Sequence, residues 1–514
     1  MMKKQFKFGI DHLTYEVAIG MATGVIEGVL SNKAIEKIKQ SEAHVVEIVE
    51  SESVVYGINT GFGPLVDTKI SREQTAQLQH NILMSHAVGV GNYISPQIAK
   101  IMLILKAHAL SLGFSGVRLQ TVERIIWMIN EDLAPCVPEK GSVGASGDLA
   151  PLSHLFLPLI GMGEIHFEGG VEDAGKVLKM KGVEPLTLGP KEGLALINGT
   201  QFIAAHAVVG LYRMKNILDT ADVIAAISVD GLEGSTRPYD ARLHQIRPYE
   251  GTQLVATRMR DLLKGSAIRD SHANCQRVQD PYSLRCIPQV HGASRNAWIH
   301  LKELVEIEIN SVTDNPVILG SHDTISGGNF HGQPLAIVLD YATVAAAEIG
   351  NISERRSYLM IEGKFGLPKL LVENAGLNSG FMIPQYSAAA LVTENKTLCF
   401  PASADSIPTS LGQEDHVSMG SISSRKLNQV LSNVEYILAI ELLYAAQAVD
   451  FRRPLQTSGV LEEVHQLVRQ HVAFTEDDRY FALDINKLHQ LLHDEVLIST
   501  VREYATENKL ESIQ

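Results

Sequence analysis

Residues 141–154 contain a loop sequence whose backbone can form an electrophile. The sequence there is GSVGASGDLAPLSH, with Ala145, Ser146 and Gly147 at its centre. Glycine has no Cβ, so the Gly147 nitrogen can approach the Ala145 carbonyl carbon with little steric penalty. Attack by that nitrogen closes a five-membered ring, and loss of two waters, one carrying the Ser146 hydroxyl, leaves an exocyclic methylene. This methylene is an electrophile, which the ordinary side chains do not supply.

The loop has ordinary interpretations besides cyclisation. Glycines in a loop are usually turn residues, so Ala-Ser-Gly by itself is weak support for a reactive group. A phosphate-binding loop would need Gly-Lys-Ser or Gly-Lys-Thr after its glycines, and neither follows. The Gly-x-Ser-x-Gly turn of a nucleophilic serine is also absent from this segment. A plain turn therefore stays as the alternative.

Tyr56 and Arg285 are candidates for a base and for a carboxylate anchor. Tyr56 opens a turn that contains Gly57, Gly61 and Gly63. A free phenol has a pKa of about 10, so a nearby cation or helix N-termini must lower this pKa before the side chain acts as a base near neutrality. Arg285 is a candidate for that cation, and a guanidinium also pairs with a carboxylate through two hydrogen bonds. The alternatives are that Tyr56 is an aromatic residue that covers the core at a turn, and that Arg285 only forms a structural ion pair.

Four further residues have side chains suited to surround a ligand. Tyr282 precedes Arg285 by three residues, so the two share a face if this segment is helical. Asn198 and Gln279 carry amides that can hold a ligand or the carbonyl of the cyclised loop, although buried amides often bond only within a core. Phe330 can serve as an apolar lid or as an ordinary core residue.

His86 and Glu414 together suit a polar ring. A carboxylate accepts a hydrogen bond from an imidazole N–H or pairs with an imidazolium. A phenyl ring would leave the same carboxylate buried without a partner, which is costly. The pair therefore favours an imidazole ligand over a phenyl ligand. The alternatives are that His86 is a core histidine whose hydrogen bonds are made within the protein, and that Glu414 is a carboxylate exposed to solvent.

Seven motifs resemble those of the ammonia-lyases that build 4-methylidene-imidazol-5-one (MIO) from Ala-Ser-Gly, and they occur in that family's order. They extend over nearly the whole chain. Ser-His-Ala with Gln-Glu-Asp-His is typical of the histidine ammonia-lyases, whereas phenylalanine and tyrosine lyases typically carry an amide where Glu414 stands. The motifs are YGINTGFG (56–63), SHA (85–87), the 141–154 loop, NGTQ (198–201), QDPYSLR (279–285), GGNFHG (327–332) and QEDH (413–416).

The resemblance implies deamination of L-histidine to trans-urocanate and ammonia, the first step of histidine degradation. It implies that MIO forms autocatalytically from the Ala-Ser-Gly triplet, with no external cofactor and no metal. Tyr56 would remove the substrate β-proton, Arg285 would anchor the carboxylate, and Glu414 with His86 would orient the imidazole. The predicted catalytic residues are Tyr56, Ala145, Ser146, Gly147, Asn198, Tyr282 and Glu414, and the predicted substrate-binding residues are His86, Asn198, Gln279, Arg285, Phe330 and Glu414.

The chain departs from the histidine lyases beside two motifs. Residues 411–412 are Leu-Gly where Ala-Asn is more common, and residues 384–386 are Pro-Gln-Tyr rather than Ala-Gln-Val. These differences bear on the fine substrate range and not on the reaction class. The alternatives are another MIO enzyme (a tyrosine or phenylalanine ammonia-lyase or an aminomutase), a fumarase-like lyase, and a helical protein without activity.

Composition argues against several classes of partner. The chain has 514 residues, 45% of them hydrophobic, which is ample for a large core. Its net charge of −14 is spread along the sequence, which argues against nucleic acid and anionic membranes. Four cysteines without metal-ligand spacing fit a reduced cytoplasmic protein. No apolar segment follows the basic N-terminus, and the apolar stretch 430–449 carries two glutamates, so we expect neither a signal peptide nor a membrane span.

Helical periodicity dominates the sequence. Ser31 can cap a helix whose apolar residues recur at helical spacing as far as Val49. Strand patterns are few and lie at 164–168 and in a hairpin over 317–325. The other predicted helices span 98–112, 119–129, 202–228, 297–310, 334–358, 384–399, 425–450, 460–472 and 486–506.

We therefore expect a mainly α protein with a long helical bundle and a smaller N-terminal domain, the fumarase and aspartase superfamily fold that the resemblance implies. The predicted boundary follows Gly113 and separates domain 1–114, with the Tyr56 turn, from domain 115–514, with the MIO loop. The resemblance also implies a homotetramer whose active sites combine residues from three subunits. Long helices that are apolar on more than one face agree with burial against other subunits.

Overall fold

The computed structural model describes residues 3–51, 55–58, 60, 74–273 and 277–513. Helices dominate these residues, which confirms the predicted mainly α class. The helices are α1 (Tyr15–Ala22), α2 (Asn32–Glu50), α3 (Thr75–His86), α4 (Pro96–Ser111), α5 (Leu119–Asn130), α6 (Leu149–Phe156), α7 (Ala174–Met180), α8 (Glu192–Ile197), α9 (Gln201–Gly231), α10 (Ala241–Gln245), α11 (Glu250–Leu262), α12 (Ala267–Ser271), α13 (Tyr282–Arg285), α14 (Ile287–Glu308), α15 (Gln333–Ile361), α16 (Met382–Leu398), α17 (Gly420–Asp450), α18 (Gly459–His471), α19 (Phe481–His493) and α20 (Val496–Glu507).

The strands of the described residues form small sheets only. A parallel pair joins β1 to β2, antiparallel pairs join β3 to β5 and β8 to β9, and a three-stranded sheet has the order β4-β6-β7. Both strand patterns predicted from the sequence are confirmed, as β6 and as the β8–β9 hairpin. The strands are β1 (Lys4–Lys7), β2 (Ile26–Val29), β3 (Val90–Tyr93), β4 (Ala134–Pro135), β5 (Pro138–Lys140), β6 (Glu164–Phe167), β7 (Gly170–Asp173), β8 (Val317–Gly320) and β9 (Asp323–Ile325).

The chain divides into two compact units, each assembled from three separate stretches. The first unit comprises Met1–Tyr212, Leu301–Asp340 and Pro401–Arg425. The second unit comprises Arg213–His300, Tyr341–Phe400 and Lys426–Gln514. The domain boundary predicted near residue 114 lies within the first unit and stays a prediction.

The structure confirms one predicted helix cap and corrects the bounds of two predicted helices. The Ser31 hydroxyl accepts a hydrogen bond from the Ala34 N–H at 3.3 Å, so the predicted cap of α2 is confirmed. Helix α14 begins at Ile287 rather than at residue 297. The prediction of one helix over 486–506 is wrong, because Glu495 has a φ of 60°. A residue in this left-handed region cannot continue a right-handed helix, so α19 ends and α20 begins there.

Helix α4 is the buried centre of the first unit, with every residue from Ala99 to Ser111 inaccessible or nearly so. His108 on this helix accepts a hydrogen bond at Nδ1 from the Gly9 N–H at 3.2 Å. Its Nε2 lies 3.3 Å from Asn310 Oδ1, to which a neutral ring can donate. Burial lowers the pKa of His108 to about 4. A second proton would sit on Nδ1 and face the Gly9 N–H, so that two donors would point at each other. The neutral ring is therefore the form that the fold accommodates.

We expect acid to destabilise the first unit through His108. The pKa is 6.5 for an ordinary histidine and about 4 here, so below pH 6.5 the unfolded chain takes up a proton that the folded chain excludes. Stability therefore falls as the pH falls from 6.5 towards 4, by about 2 kcal/mol between neutrality and pH 5. Urea unfolding near pH 7.5 and near pH 5 measures this loss.

His108→Gln isolates the contribution of His108 to the pH dependence of stability, because glutamine keeps a donor and an acceptor but does not titrate. Its loss of stability between the two pH values should be smaller than that of the unaltered protein. His322→Gln, at an exposed position between β8 and β9, is the matched control and should leave the loss unchanged. An equal loss in all three proteins would contradict the assignment to His108.

Buried polar contacts align the long helices of the second unit. Glu441 of α17 accepts hydrogen bonds from Ser228 of α9 at 2.6 Å and from Arg356 of α15 at 2.5 and 2.8 Å. His291 of α14 contacts Asp222 of α9 at 2.8 Å. All five side chains are buried. A buried charge left without its partner is costly, so these contacts favour one register of the helices over a slipped one.

Helix α15 is long and apolar enough to cross a membrane by length and composition alone. Of its most apolar window, 72% is buried within the protein. The core helix of a globular protein passes the same test, so the length and apolarity of this helix are accounted for by its packing.

Candidate active site

The loop around Ser146 is a tight turn built from left-handed residues. Gly144, Ser146 and Gly147 have φ values of 79°, 51° and 79°. A Cβ on Gly147 would lie 2.2 Å from the Gly199 carbonyl oxygen, so no larger residue fits there. Ser146 adopts a conformation that side-chain-bearing residues rarely take and that stores strain. This compact, strained turn agrees with the predicted cyclisation of residues 145–147.

Residues that follow α8 hold the loop. The Asn198 Nδ2 donates to the Ser146 carbonyl oxygen at 2.8 Å, and the Gly199 N–H donates to the same oxygen at 3.4 Å. The Asp148 N–H in turn donates to the Gly199 carbonyl at 2.7 Å. This contact agrees with the prediction that Asn198 can hold the carbonyl of the cyclised loop, which stays a prediction. Two donors on one carbonyl oxygen can stabilise negative charge that develops there.

A second polar atom of Asn198 is available to a ligand. Its Oδ1 is buried and has no hydrogen-bond partner among the described residues. A buried acceptor without a donor is costly. An N–H group of a bound molecule could therefore gain a hydrogen bond here that the protein alone leaves unmade.

Lys106 is a supporting residue that the sequence analysis missed. Its ammonium donates to the carbonyls of Ala195 and Asn198 at 3.0 and 2.7 Å, at the end of α8. Burial lowers the pKa of Lys106 to about 7. The signal in the sequence was a lysine in the middle of a helix predicted to be buried.

Asp148 is a second supporting residue that was missed, although it lies within the 141–154 loop. Its Oδ2 accepts hydrogen bonds from the N–H groups of Phe202 and Ile203, at 3.1 and 3.0 Å, where α9 begins. Burial raises the pKa of Asp148 to about 7, and these hydrogen bonds oppose the rise. A carboxylate at a helix N-terminus stabilises the otherwise unpaired N–H groups, so Asp148 ties the loop to α9.

The segment before α17 brings Glu414 to the loop. The Met419 N–H donates to the Val143 carbonyl at 2.9 Å, and the Ser421 hydroxyl donates to the Ser142 carbonyl at 2.6 Å. A Cβ on Gly144 would lie 2.2 Å from the Ser418 hydroxyl, so glycine is needed for this close approach. These contacts fix the course of the chain that carries Glu414.

Glu414 is held by two hydroxyl groups. Its Oε1 accepts a hydrogen bond from the Ser146 hydroxyl at 3.1 Å, and its Oε2 accepts one from the Thr409 hydroxyl at 3.1 Å. The Thr409 N–H also donates to the Glu414 carbonyl at 2.9 Å, which closes a short loop between them. Thr409 was not predicted, since nothing in its spacing from Glu414 indicates a contact.

His86 ends α3 and lies within reach of the Glu414 charge. Burial lowers the pKa of His86, and the Ile82 carbonyl and the negative charge of Glu414 partly oppose this. The His86 Nδ1 is 3.0 Å from the Ser85 hydroxyl. The influence of the Glu414 charge on His86 agrees with a shared role for the two residues, and that role stays a prediction.

Tyr56 lies in a turn that packs on α8. Gly57 has a φ of 73°, and a Cβ there would lie 2.3 Å from Leu194 Cδ2 of α8. The Gly57 N–H donates to the Thr60 hydroxyl at 3.3 Å. The turn thus rests on the helix that leads to Asn198. Residues 59 and 61–63 of the same motif lie outside the described residues.

Phe330 is half-buried and shortly precedes α15. The neighbouring His331 stacks on His416 with ring centroids 5.5 Å apart. This stacking places the motif of residues 327–332 beside the motif of residues 413–416. The lid role predicted for Phe330 stays a prediction.

Gln279, Tyr282 and Arg285 belong to the second unit. Tyr282 and Arg285 share one face of α13, as predicted, with the guanidinium carbon 4.5 Å from the centre of the phenol ring. The Arg285 Nε is buried and has no partner among the described residues, and Gln279 is exposed. Ser146, Asn198, His86 and Glu414 thus belong to the first unit, whereas Gln279, Tyr282 and Arg285 belong to the second.

Comparison with known proteins agrees with the motifs. The sequence model of the aromatic amino acid lyase family matches residues 13–470. A histidine ammonia-lyase of Natranaerobius thermophilus is 47% identical over 93% of this chain and 95% of its own length. The crystal structure of histidine ammonia-lyase from Trypanosoma cruzi matches with a TM-score of 0.90 and 42% identity, over 97% of this chain and 95% of that one.

A tyrosine aminomutase from Streptomyces globisporus also has a similar structure. The match has a TM-score of 0.92 and 35% identity, over 98% of this chain and 99% of that one. Both solved structures confirm the mainly helical fold that the motifs implied. The extent of the family match and the identity to these relatives show that this chain is a member of the aromatic amino acid lyase family.

Proposed function

We propose that this protein removes ammonia from L-histidine and releases trans-urocanate. The observation that carries the proposal is the Glu414 carboxylate, whose Oε1 lies 3.1 Å from the Ser146 hydroxyl. A carboxylate at the reactive loop suits an imidazole N–H and disfavours a phenyl ring. The 47% identity to a histidine ammonia-lyase supports the same substrate.

The residues around Ser146 fit the MIO group. Gly147 is confined by the Gly199 backbone, and the Ser146 carbonyl oxygen already accepts hydrogen bonds from Asn198 and Gly199. MIO supplies an electrophilic methylene that turns the amino group of the substrate into a better leaving group. Asn198 and Gly199 would hold the ring carbonyl, where their donors favour the negative charge that nucleophilic attack produces. We propose that the ring forms autocatalytically from residues 145–147, without an external cofactor.

The other candidate residues bind and orient the substrate. Arg285 anchors the carboxylate through a bidentate pair, for which its unpartnered Nε is available. Glu414 and His86 orient the imidazole ring, and the Asn198 Oδ1 accepts a hydrogen bond from the amino group. Tyr56 takes the β-proton, because nearby positive charge would lower the pKa of the phenol and so populate the phenolate, the form that acts as a base, near neutrality.

We propose a cytoplasmic homotetramer whose active sites are shared between subunits, as the family resemblance implies. Exposed apolar side chains on α15 support assembly, because Ile337, Tyr341 and Val344 recur on one face with 57%, 49% and 46% exposure. Such a stripe is typical of a surface that another chain covers. Light scattering on the purified protein should give four times the chain mass, and a monomer would contradict this part of the proposal.

The proposed activity is tested by ultraviolet absorbance with L-histidine, L-tyrosine and L-phenylalanine in parallel. A urocanate band with L-histidine only is the expected result. A cinnamate or coumarate band with either of the other substrates would overturn the role given to Glu414 but keep the chemistry of the loop. Conversion of L-tyrosine to its β-amino acid would favour the aminomutase that the structure also resembles.

Thr409→Val tests the hydroxyl that holds Glu414. The variant keeps the backbone bond to Glu414 and loses the side-chain bond to Oε2, so the carboxylate gains freedom to turn away. We expect kcat/KM for L-histidine to fall about 10-fold, which is about 1.4 kcal/mol. Steady-state kinetics measure this change. Thr409→Ser keeps the hydroxyl and should restore the activity, whereas equal activity of the valine variant and the unaltered protein would remove Thr409 from the site.

A further inference from the structure

Three side chains of the second unit converge on one point of its surface. Glu435 lies on α17, and His489 and His493 lie one turn apart on α19. One ligand atom from each, a carboxylate oxygen and two ring nitrogens, lie within 4.8 Å of one another. None of these residues belongs to the motifs or to the candidate active site.

The two distances from the carboxylate oxygen to the ring nitrogens are close to the ligand spacing of a small tetrahedral cation. The Glu435 Oε2 is 3.5 Å from His489 Nε2 and 3.3 Å from His493 Nδ1. Ligands about 2.0–2.1 Å from zinc in a tetrahedron are about 3.3–3.4 Å from one another. Good N–H···O hydrogen bonds are shorter, at about 2.7–3.2 Å. The two histidines thus approach the carboxylate at the spacing of shared ligands, and the His493 contact at 3.3 Å is at most a weak hydrogen bond.

Neighbouring groups fix the orientation of Glu435 and His489. Arg213 donates from Nε to Oε1 of Glu435 at 3.2 Å and from Nη2 to Oε2 at 3.0 Å. A carboxylate has about four lone pairs, so Oε2 keeps one for a cation. Tyr436 stacks on the His489 ring, with centroids 3.8 Å apart and planes at 7°. Such outer contacts hold metal ligands in place in known sites.

Charge and access also suit a cation. The Glu435 side chain is 4% exposed, His489 19% and His493 54%, so an ion can enter from solvent past His493. The Arg213 guanidinium lies 3.0 Å from the Glu435 carboxylate, and this pairing favours the ionised carboxylate. The carboxylate is therefore ionised at neutral pH, as a metal ligand must be. The positive charge of Arg213 opposes the cation, so we expect moderate rather than very tight binding.

We propose that Glu435, His489 and His493 bind a divalent transition metal ion, with zinc as the best fit and water as the fourth ligand. Two imidazoles and one carboxylate suit zinc, and magnesium or calcium would prefer oxygen ligands alone. The ion would clamp α19 to α17. This site is independent of the proposed deamination and differs from the expectation of no metal drawn from the sequence.

The experiment titrates Co²⁺ into the purified full-length protein after treatment with a chelator. Co²⁺ replaces zinc in tetrahedral sites and then absorbs visible light far more strongly than hydrated Co²⁺. We expect one equivalent of Co²⁺ to produce this absorption and Zn²⁺ to abolish it. We also expect Zn²⁺ to raise the thermal unfolding midpoint. Absence of the visible absorption in the unaltered protein would overturn the proposal.

Matched variants separate this site from other histidines. His493→Ala removes a largely exposed ligand and should weaken Co²⁺ binding at least tenfold, with no effect of Zn²⁺ on the unfolding midpoint. His471→Ala, at the exposed end of α18 in the same unit, should behave like the unaltered protein. Glu435→Gln, with a neutral side chain of the same shape, should lose binding as well. Equal binding by His493→Ala and His471→Ala would place the metal elsewhere and overturn the proposal.

Discussion

Ser146→Ala is expected to lower kcat/KM for L-histidine by at least about 1,000-fold, which is about 4 kcal/mol of barrier. Alanine has no hydroxyl to lose, so the exocyclic methylene cannot form and the amino group of the substrate stays a poor leaving group. Intact mass spectrometry should show the unaltered protein lighter than its sequence by two water molecules. In Ser146→Ala that loss of two waters should be absent.

Ser153→Ala is the matched control for this change. Ser153 lies on α6 close by in the sequence, and its buried hydroxyl has no partner among the described residues. This variant should keep both the loss of two waters and the activity. If Ser146→Ala turned over L-histidine at the rate of the unaltered protein, the reactive loop would not be the source of the electrophile, and the proposed mechanism would fail.

Glu414→Gln is expected to lower kcat/KM for L-histidine by about 100-fold or more, about 2.7 kcal/mol. Cyclisation removes the Ser146 hydroxyl, which leaves the Glu414 Oε1 free to accept a hydrogen bond from the imidazole. The amide carries no charge and offers one oxygen, so it loses the charge-assisted bond to the ring. The mass loss of two waters should remain, because the loop itself is unaltered.

Substrate preference is the sharper readout of Glu414→Gln. The ratio of kcat/KM for L-histidine to that for L-phenylalanine should fall, since the amide no longer leaves a buried charge unpaired against a phenyl ring. Asp415→Asn changes an exposed neighbouring carboxylate in the same way and should leave the ratio unchanged. An unchanged ratio in Glu414→Gln would remove this residue from the choice of substrate.

The sequence predicted the helical class, the positions of the longer helices and candidate residues for the site, because these depend on short-range patterns. Helical periodicity located α2, α4 and α5 to within a few residues, and a serine cap placed the start of α2. Hydrophobic spacing is insufficient to predict a helix end where a single backbone angle decides it. The left-handed conformation of Glu495, which separates α19 from α20, leaves no mark on hydrophobic spacing.

Supporting residues of the site escaped prediction for a related reason. Thr409 and Lys106 act through contacts to Glu414 and to the end of α8. The sequence around Thr409 is ordinary, and Lys106 is marked only as a lysine within an apolar helix. A threonine in a loop or a lysine in a helix acquires its role only when the chain brings its polar atom to a specific partner. Their contacts depend on folding and not on composition.

The sequence by itself determined that an Ala-Ser-Gly loop is present, accompanied by residue types suited to a base, an anchor and a ring-binding pair, since those capacities belong to residue types. Only the tertiary structure decided that Asn198, Gly199 and Glu414 meet at Ser146. It alone brought Glu435 to His489 and His493 from a distant helix. The physical reason is that hydrogen bonding and coordination act over about 2–4 Å, and the packing of buried helices, rather than proximity in sequence, sets such distances.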